Sequence, residues 1–465
     1  MLGTTAAPSK HAVRVEAKFS SWNGTRYVTR WRGQSAGDII RTSRESREAR
    51  IVNPAAAATA PAPRTFKDVW LISAGHAFTH WYTATFYLLL PLIGKELGLS
   101  YTEIGLIMTT QHLVGAISNL PGGMVVDMVG KKGYLMATSL FWVGFPYALM
   151  SLTHSYWMLL LCVTLVGIGN KLWHPAAITT LAYRYPDRKG LVIAYHGMGG
   201  NIADGLAPLV VGALLAWFSW RTVVVINVVP GLIMAAMILV MLGAFSMGSS
   251  SDHVNARGKS EGVRKYFRDF TSLLKNRALM LVSIGSAFRT MTQTGLLTFL
   301  PVYLAYELDY SPFVVGVCLA VMQVAGFAAS PIGGHLSDKM GRKRIVMASM
   351  VLSCVMIAFM AAAGKSMLFV LFIALVGFFL YAMRPVLQAW AVEATPKDLA
   401  GSGVGLQFGI QHIGAGIAPA LFGMIADAYD IYTAFYFLAG TILFANVLIF
   451  FMPNGQAAQA KPAAA

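Results

Sequence analysis

Charge is scarce in this sequence. Only 12% of its 465 residues are Asp, Glu, Lys or Arg, against roughly 25% in soluble globular chains. So little charge cannot cover a soluble surface, and bilayer becomes the natural solvent. Cysteine is scarce too. Cys162, Cys318 and Cys354 sit in apolar runs without CxxC spacing, which leaves them as small buried hydrophobes. No signal-peptide h-region opens the chain. Glycine clusters such as "GSGVG" (401–405) lack both the G-x-G-x-x-G spacing and a preceding strand. Nucleotide binding is therefore unsupported, no cofactor is expected, and any work must draw on an ion gradient. The net charge of +16 does not point to nucleic acid, because the cations lie in short loops and the N-terminal tail and form no stripe.

What is present is apolar length. Hydrophobic residues make up 56% of the chain and the mean hydropathy is +0.60. Residues 1–66 differ, reading as a disordered basic tail. Twelve apolar spans follow, near 68–93, 102–126, 133–151, 156–183, 190–216, 221–244, 278–304, 312–337, 344–363, 366–393, 400–426 and 431–452. Each can cross roughly 30 Å of hydrocarbon as a helix. The expected fold is an all-α membrane protein with twelve transmembrane helices in two six-helix halves, 67–244 and 278–453. Between them, 245–277 reads as a linker carrying an amphipathic helix at the inner interface. Residues 454–465 read as a second disordered tail.

Loop charge sets the expected orientation. Lys131, Lys132, Arg184, Arg188, Lys189, Lys339, Arg342, Lys343 and Arg344 fall on one side, while Glu307, Asp309 and Asp430 fall on the other. The positive-inside rule then puts both termini in the cytoplasm of a multi-pass inner-membrane protein. The chain also repeats itself at an offset of 210 or 211. "GGMVVDMVGKK" (122–132) returns as "GGHLSDKMGRK" (333–343), His174-Pro175 as Arg384-Pro385, Ala207-Pro208 as Ala418-Pro419, and Pro91 as Pro301. Parallel repeats of this kind are a transporter architecture.

On those residues the chain resembles a major facilitator superfamily transporter over about 67–453. The carrying motif is Gly123-x-x-x-Asp127-x-x-Gly130-Lys131, with its second copy Gly334-x-x-x-Asp338-x-x-Gly341-Arg342. The resemblance implies that this cluster helps hold the cytoplasmic side closed in one state. Within the superfamily, "SAGHAFTH", "GIGNKLWHPA", "GMGGNIADGLAP" and "GMIAD" are similar to the fosmidomycin-resistance-protein branch of drug exporters, and His76, His174-Pro175 and Gly199-Gly200-Asn201 carry that similarity. Lys171 and Thr79-His80 depart from it.

Ionisable residues near span centres fall on spans 1, 2, 4, 5, 7, 10 and 11, while spans 3, 6, 9 and 12 have none. Charge facing lipid costs about 2.5–3.5 kcal/mol on insertion scales, so the clean spans are expected to face lipid and the others to surround a polar cavity. Lys171, Arg289 and Arg384 make that cavity positive, and Asp204 is its lone deep carboxylate. An organic anion is the expected small-molecule substrate, bound by Lys171, His174, Arg289, Arg384, His76 and His80. Protons are the expected coupling ion, with Asp204, His80 and His174 as carriers. His76-x-x-x-His80 has a spacing that can hold zinc, but no third ligand accompanies it in sequence and no metal is assigned. The expected protein is therefore not an enzyme but a monomeric, proton-coupled exporter. Uptake or exchange of an anion, and a non-transporting membrane sensor, remain the alternatives.

Overall fold

A computed structural model describes residues 66–243, 271–363, 366, 368–396 and 399–452. The expected N-terminal tail, most of the 245–277 linker and the C-terminal tail lie outside the described residues. Thirteen helices of twelve residues or more make up the described bundle: α1 (Lys67–Leu97), α2 (Tyr101–Met128), α3 (Lys132–Met150), α4 (Tyr156–Gly169), α5 (Trp173–Arg184), α6 (Lys189–Leu214), α7 (Trp220–Leu242), α8 (Arg277–Tyr306), α9 (Pro312–Met340), α10 (Arg342–Ala363), α11 (Leu368–Glu393), α12 (Ala400–Ala428) and α13 (Ile431–Phe450). With α4 and α5 as one span, these are the twelve expected spans, displaced by a few residues at their ends.

Sequence-local chemistry sets the starts. Ser100 and Glu103 form a capping box at α2: Glu103 N–H donates to Ser100 Oγ (3.1 Å) and Ser100 N–H to Glu103 Oε2 (2.8 Å). Ser311 caps α9 at the repeat-related position, with Pro312 at the first turn. Ser219 and Asp430 cap α7 and α13, again one repeat apart. Gly341 ends α9 at φ 93°, a backbone conformation that favours glycine.

The fourth span departs from expectation. It is not one continuous helix: a 3₁₀ turn, Asn170–Leu172, separates α4 from α5. Pro175 has no N–H for the Lys171 carbonyl and its ring crowds that carbonyl, so the regular ladder fails there. The repeat-related Pro385 sits inside an unbroken α11.

Among the described residues, seven spans are apolar and long enough to cross a membrane by composition alone, α4–α5, α7 and α9 to α13. The rest include α1, α2, α6 and α8, whose internal polar residues lower their hydropathy. Within the halves α1 packs on α6, α3 on α7, α9 on α11, and α10 on α13; between them α2 packs on α12 and α6 on α9. The helices free of internal charge, α3, α7, α10 and α13, turn Trp142, Phe145, Val240, Phe359, Phe444 and Val447 outward as exposed apolar side chains.

Candidate functional site

The N-terminal half gathers four histidines and a carboxylate. His76 and His80 lie one turn apart on α1, His174 comes from the start of α5, and His196 and Asp204 come from α6. His76 Nδ1 lies 2.7 Å from the His196 carbonyl oxygen, and its Nε2 lies 3.1 Å from His174 Nε2. His76 stacks on His196 at 3.9 Å between centroids and meets His80 and His174 edge-on at 4.7 and 4.9 Å. His80 Nδ1 pairs with Asp204 Oδ2 at 2.9 Å.

Small residues allow this packing. A side chain on Gly200 would place Cβ 2.8 Å from His76 Cε1 and 2.9 Å from His80 Nε2. Trp173 is fully buried against Gly75 and anchors α5 to α1. Its burial turns the following residue outward: His174 is solvent-accessible although it belongs to the cluster.

The C-terminal half holds the guanidinium groups. Arg289 is buried on α8, its Nε–H donating to the Leu380 carbonyl at 3.1 Å and its Nη2–H to Gln293 Oε1 at 2.5 Å. Its guanidinium carbon lies 5.8 Å from the Tyr381 ring centre, and the Tyr381 hydroxyl donates to Gln323. Arg384 is exposed, within electrostatic reach of both Arg289 and His174.

Lys171 sits at the seam. Its Nζ lies 3.4 Å from His412 Nε2 on α12, across the two halves. His412 Nδ1–H donates to the Phe408 carbonyl at 2.7 Å, so the neutral ring offers Nε2 to the lysine as an acceptor.

The expected site residues therefore fall into three groups. His76, His80, His174 and Asp204 meet; Arg289 and Arg384 lie in the second half on α8 and α11; Lys171 bridges toward that half. Asp204 engages His80 rather than an arginine. Gln293, which bonds Arg289, was missed; Tyr381 lies beside the guanidinium and donates to Gln323. The only sequence signal for Gln293 was a polar group one helical turn from an internal arginine. The apolar crevice of about 490 Å³ between α6 and α9, lined by residues such as Leu209 and Val321, lacks polar groups and is no anion site.

The two copies of the loop motif differ. In the first, Gly123 lies within α2 and Gly130 in the bend after it; the Asp127 side chain lies outside the described residues. Lys131 covers the Tyr134 ring and Lys132 donates to the Val126 carbonyl. In the second, Gly334 lies in α9 and Arg342 pairs with Asp338 at 2.5 Å and with Glu393 at 3.0 Å, all within one half.

Known proteins agree with this architecture. The sequence profile described as Major Facilitator Superfamily matches residues 71–326 and 282–465. The chain is 25% identical to the phosphoglycerate transporter protein of Salmonella typhimurium, over 77% of this chain and 82% of the relative. It is 25% identical to the fosmidomycin resistance protein of Escherichia coli, over 88% of this chain and 98% of the relative. Its fold is similar to that of a bacterial homolog to the human lysosomal transporter Spinster, with a TM-score of 0.70 at 15% identity over 85% of this chain and 98% of that one.

Proposed function

Because the chain belongs to the Major Facilitator Superfamily, and so is a multi-pass membrane transporter and not an enzyme, we propose that its cargo is a small organic anion, exported across the inner membrane by proton-coupled alternating access. The observation that carries this reading is the charge balance at mid-span. Among the described residues there, three cations, Lys171, Arg289 and Arg384, stand against one carboxylate, Asp204, which is already engaged by His80. Arg289 is buried and Lys171 half-buried, and cations at such depth need a counter-charge; a carboxylate or phosphate is the ligand that supplies it. Two guanidinium groups suit such ligands because their forked donors match paired oxygens. The relative named for phosphoglycerate, an organic phosphate, supports the sign of the cargo. The one named for fosmidomycin resistance, matched over nearly its whole length, supports the outward direction.

The test is a solute screen in right-side-out and inverted membrane vesicles under an imposed pH gradient. Organic phosphates and carboxylates are expected to move, in the direction set by the gradient. Movement of a lipophilic cation with no movement of any anion would sink the reading. Uptake is the second reading: the relatives named as transporters of glycerol-3-phosphate and hexuronate share the anionic cargo, and their names carry no export. The vesicle orientation in which accumulation occurs separates the two.

A further inference from the structure

We propose that His76, His80 and His174 form a binding site for a divalent transition-metal ion, with Asp204 orienting His80. The sequence set metal aside for want of a third ligand near the His76–His80 pair. The fold supplies it from α5: one ligand nitrogen from each of the three histidines lies within 4.8 Å of the other two. Four-coordinate zinc with Zn–N bonds of about 2.0–2.1 Å sets its ligand nitrogens roughly 3.3 Å apart. His76 Nε2 and His174 Nε2 already stand at 3.1 Å, and the two edges to His80, at most 4.8 Å, are the ones an ion has to shorten.

The surrounding bonds direct lone pairs inward. His76 Nδ1 faces a carbonyl oxygen, which only accepts, so that nitrogen carries the hydrogen and Nε2 is bare. His80 Nδ1 faces the Asp204 carboxylate, and a neutral ring there keeps its lone pair on Nε2. An imidazole whose second nitrogen donates to a carbonyl or carboxylate is the usual state of a metal-bound histidine. The His76–His174 contact therefore takes its hydrogen from His174, and an incoming ion displaces it.

The site is also built and reachable. Gly200 leaves room for both α1 imidazoles, and His196 stacks behind His76 with its own two ring nitrogens buried and without hydrogen-bond partners among the described residues. His174 is exposed and the His80 side chain is 30% exposed, so an ion can arrive from solvent. Imidazole suits zinc, cobalt, nickel or copper rather than the oxygen-seeking magnesium and calcium. The three imidazoles leave a fourth position open to water.

The experiment uses the full chain in detergent, without a histidine tag, and needs no transported solute. It can therefore fail independently of the proposed anion transport. Cobalt(II) alone is the probe, followed by its visible absorption and displaced with zinc. One equivalent with a tetrahedral spectrum is expected. His80→Ala and His174→Ala should each weaken binding at least tenfold, while Asp204→Asn should weaken it about 10- to 100-fold at unchanged stoichiometry. His154→Ala, at a span end, should leave it unchanged. X-ray absorption on the unsubstituted chain should count three imidazoles, a readout that survives any variant failing to fold. An absent cobalt spectrum, fewer than three imidazoles, or binding that persists in the triple alanine variant would overturn the site and leave His76–His174 as a shared hydrogen only.

Discussion

Lys171 holds its ammonium against a neutral imidazole from the other half, a weak partner that an anion can readily replace. Charge-assisted hydrogen bonds are worth about 1.5–3 kcal/mol. Lys171→Ala is accordingly expected to weaken affinity for the transported anion by about ten- to a hundredfold, read from the half-saturation of vesicle uptake. An unchanged value would leave the lysine as a strut for His412. Arg289 differs, because it is buried and already bonded to Leu380 and Gln293. Lysine cannot reproduce a fork that donates in two directions. Arg289→Lys should leave at least one buried acceptor unpaired and destabilise the chain by about 1–3 kcal/mol, seen as a lower melting temperature in detergent. At this scale the sequence was partly legible. Charges inside apolar runs announced Lys171, Asp204, Arg289 and Arg384, since such residues need a special environment. Which of them meet depends on helix rotation and on contacts such as Gly75 with Trp173 or Gly200 with His76, and periodicity alone does not specify these.

At the scale of the helix, start signals are local and were easy to read. The capping residues sit beside the apolar runs they begin, so the structural ends fall within a few residues of the expected ones. The break in the fourth span was less legible, because Pro175 and Pro385 look equivalent in sequence and only the first lies beside a 3₁₀ turn. Asp430 offers a test of a cap. It lies outside the spans, and its carboxyl is held below the ordinary aspartate value of 3.8, first by the Thr433 backbone N–H and then by the Thr433 side chain. A folded value below the unfolded one adds stability above the unfolded value, lost as pH falls through the folded value. The melting temperature of Asp430→Ala should therefore sit below that of the unsubstituted chain near neutral pH. The two should converge only in acid below the folded value, itself under 3.8, where the cap of the folded chain is protonated. A gap that persists unchanged into acid would assign the effect to something other than the charged cap.

At the scale of the whole molecule, the two halves meet at the end remote from the basic loops, and the repeat seen in sequence builds that junction. Gly105 on α2 abuts Pro419 on α12, and its repeat mate Gly316 on α9 abuts Pro208 on α6. A Cβ on Gly316 would sit 3.0 Å from the Pro208 carbonyl carbon, so these crossings require glycine for their closeness. Polar contacts close the same end. Tyr306 donates to the Pro91 carbonyl at 2.8 Å, and the Asp427 carboxylate accepts the Tyr101 and Thr102 N–H groups at 3.0 and 2.7 Å. Asp427 thus caps α2 from the opposite half. An N-cap contributes about 1 kcal/mol, or about fivefold in a two-state ratio. Unlike an ordinary cap, this one is made only while the halves are together at that end. Its loss should therefore favour the state in which they separate, and not merely lower stability. Asp427→Ala is expected to raise the population open at the remote end by about fivefold. Distances between spin labels placed on either half at that end would measure the shift. A distribution identical to that of the unsubstituted chain, with only a lower melting temperature, would make the carboxylate a local cap and leave closure to the glycine crossings.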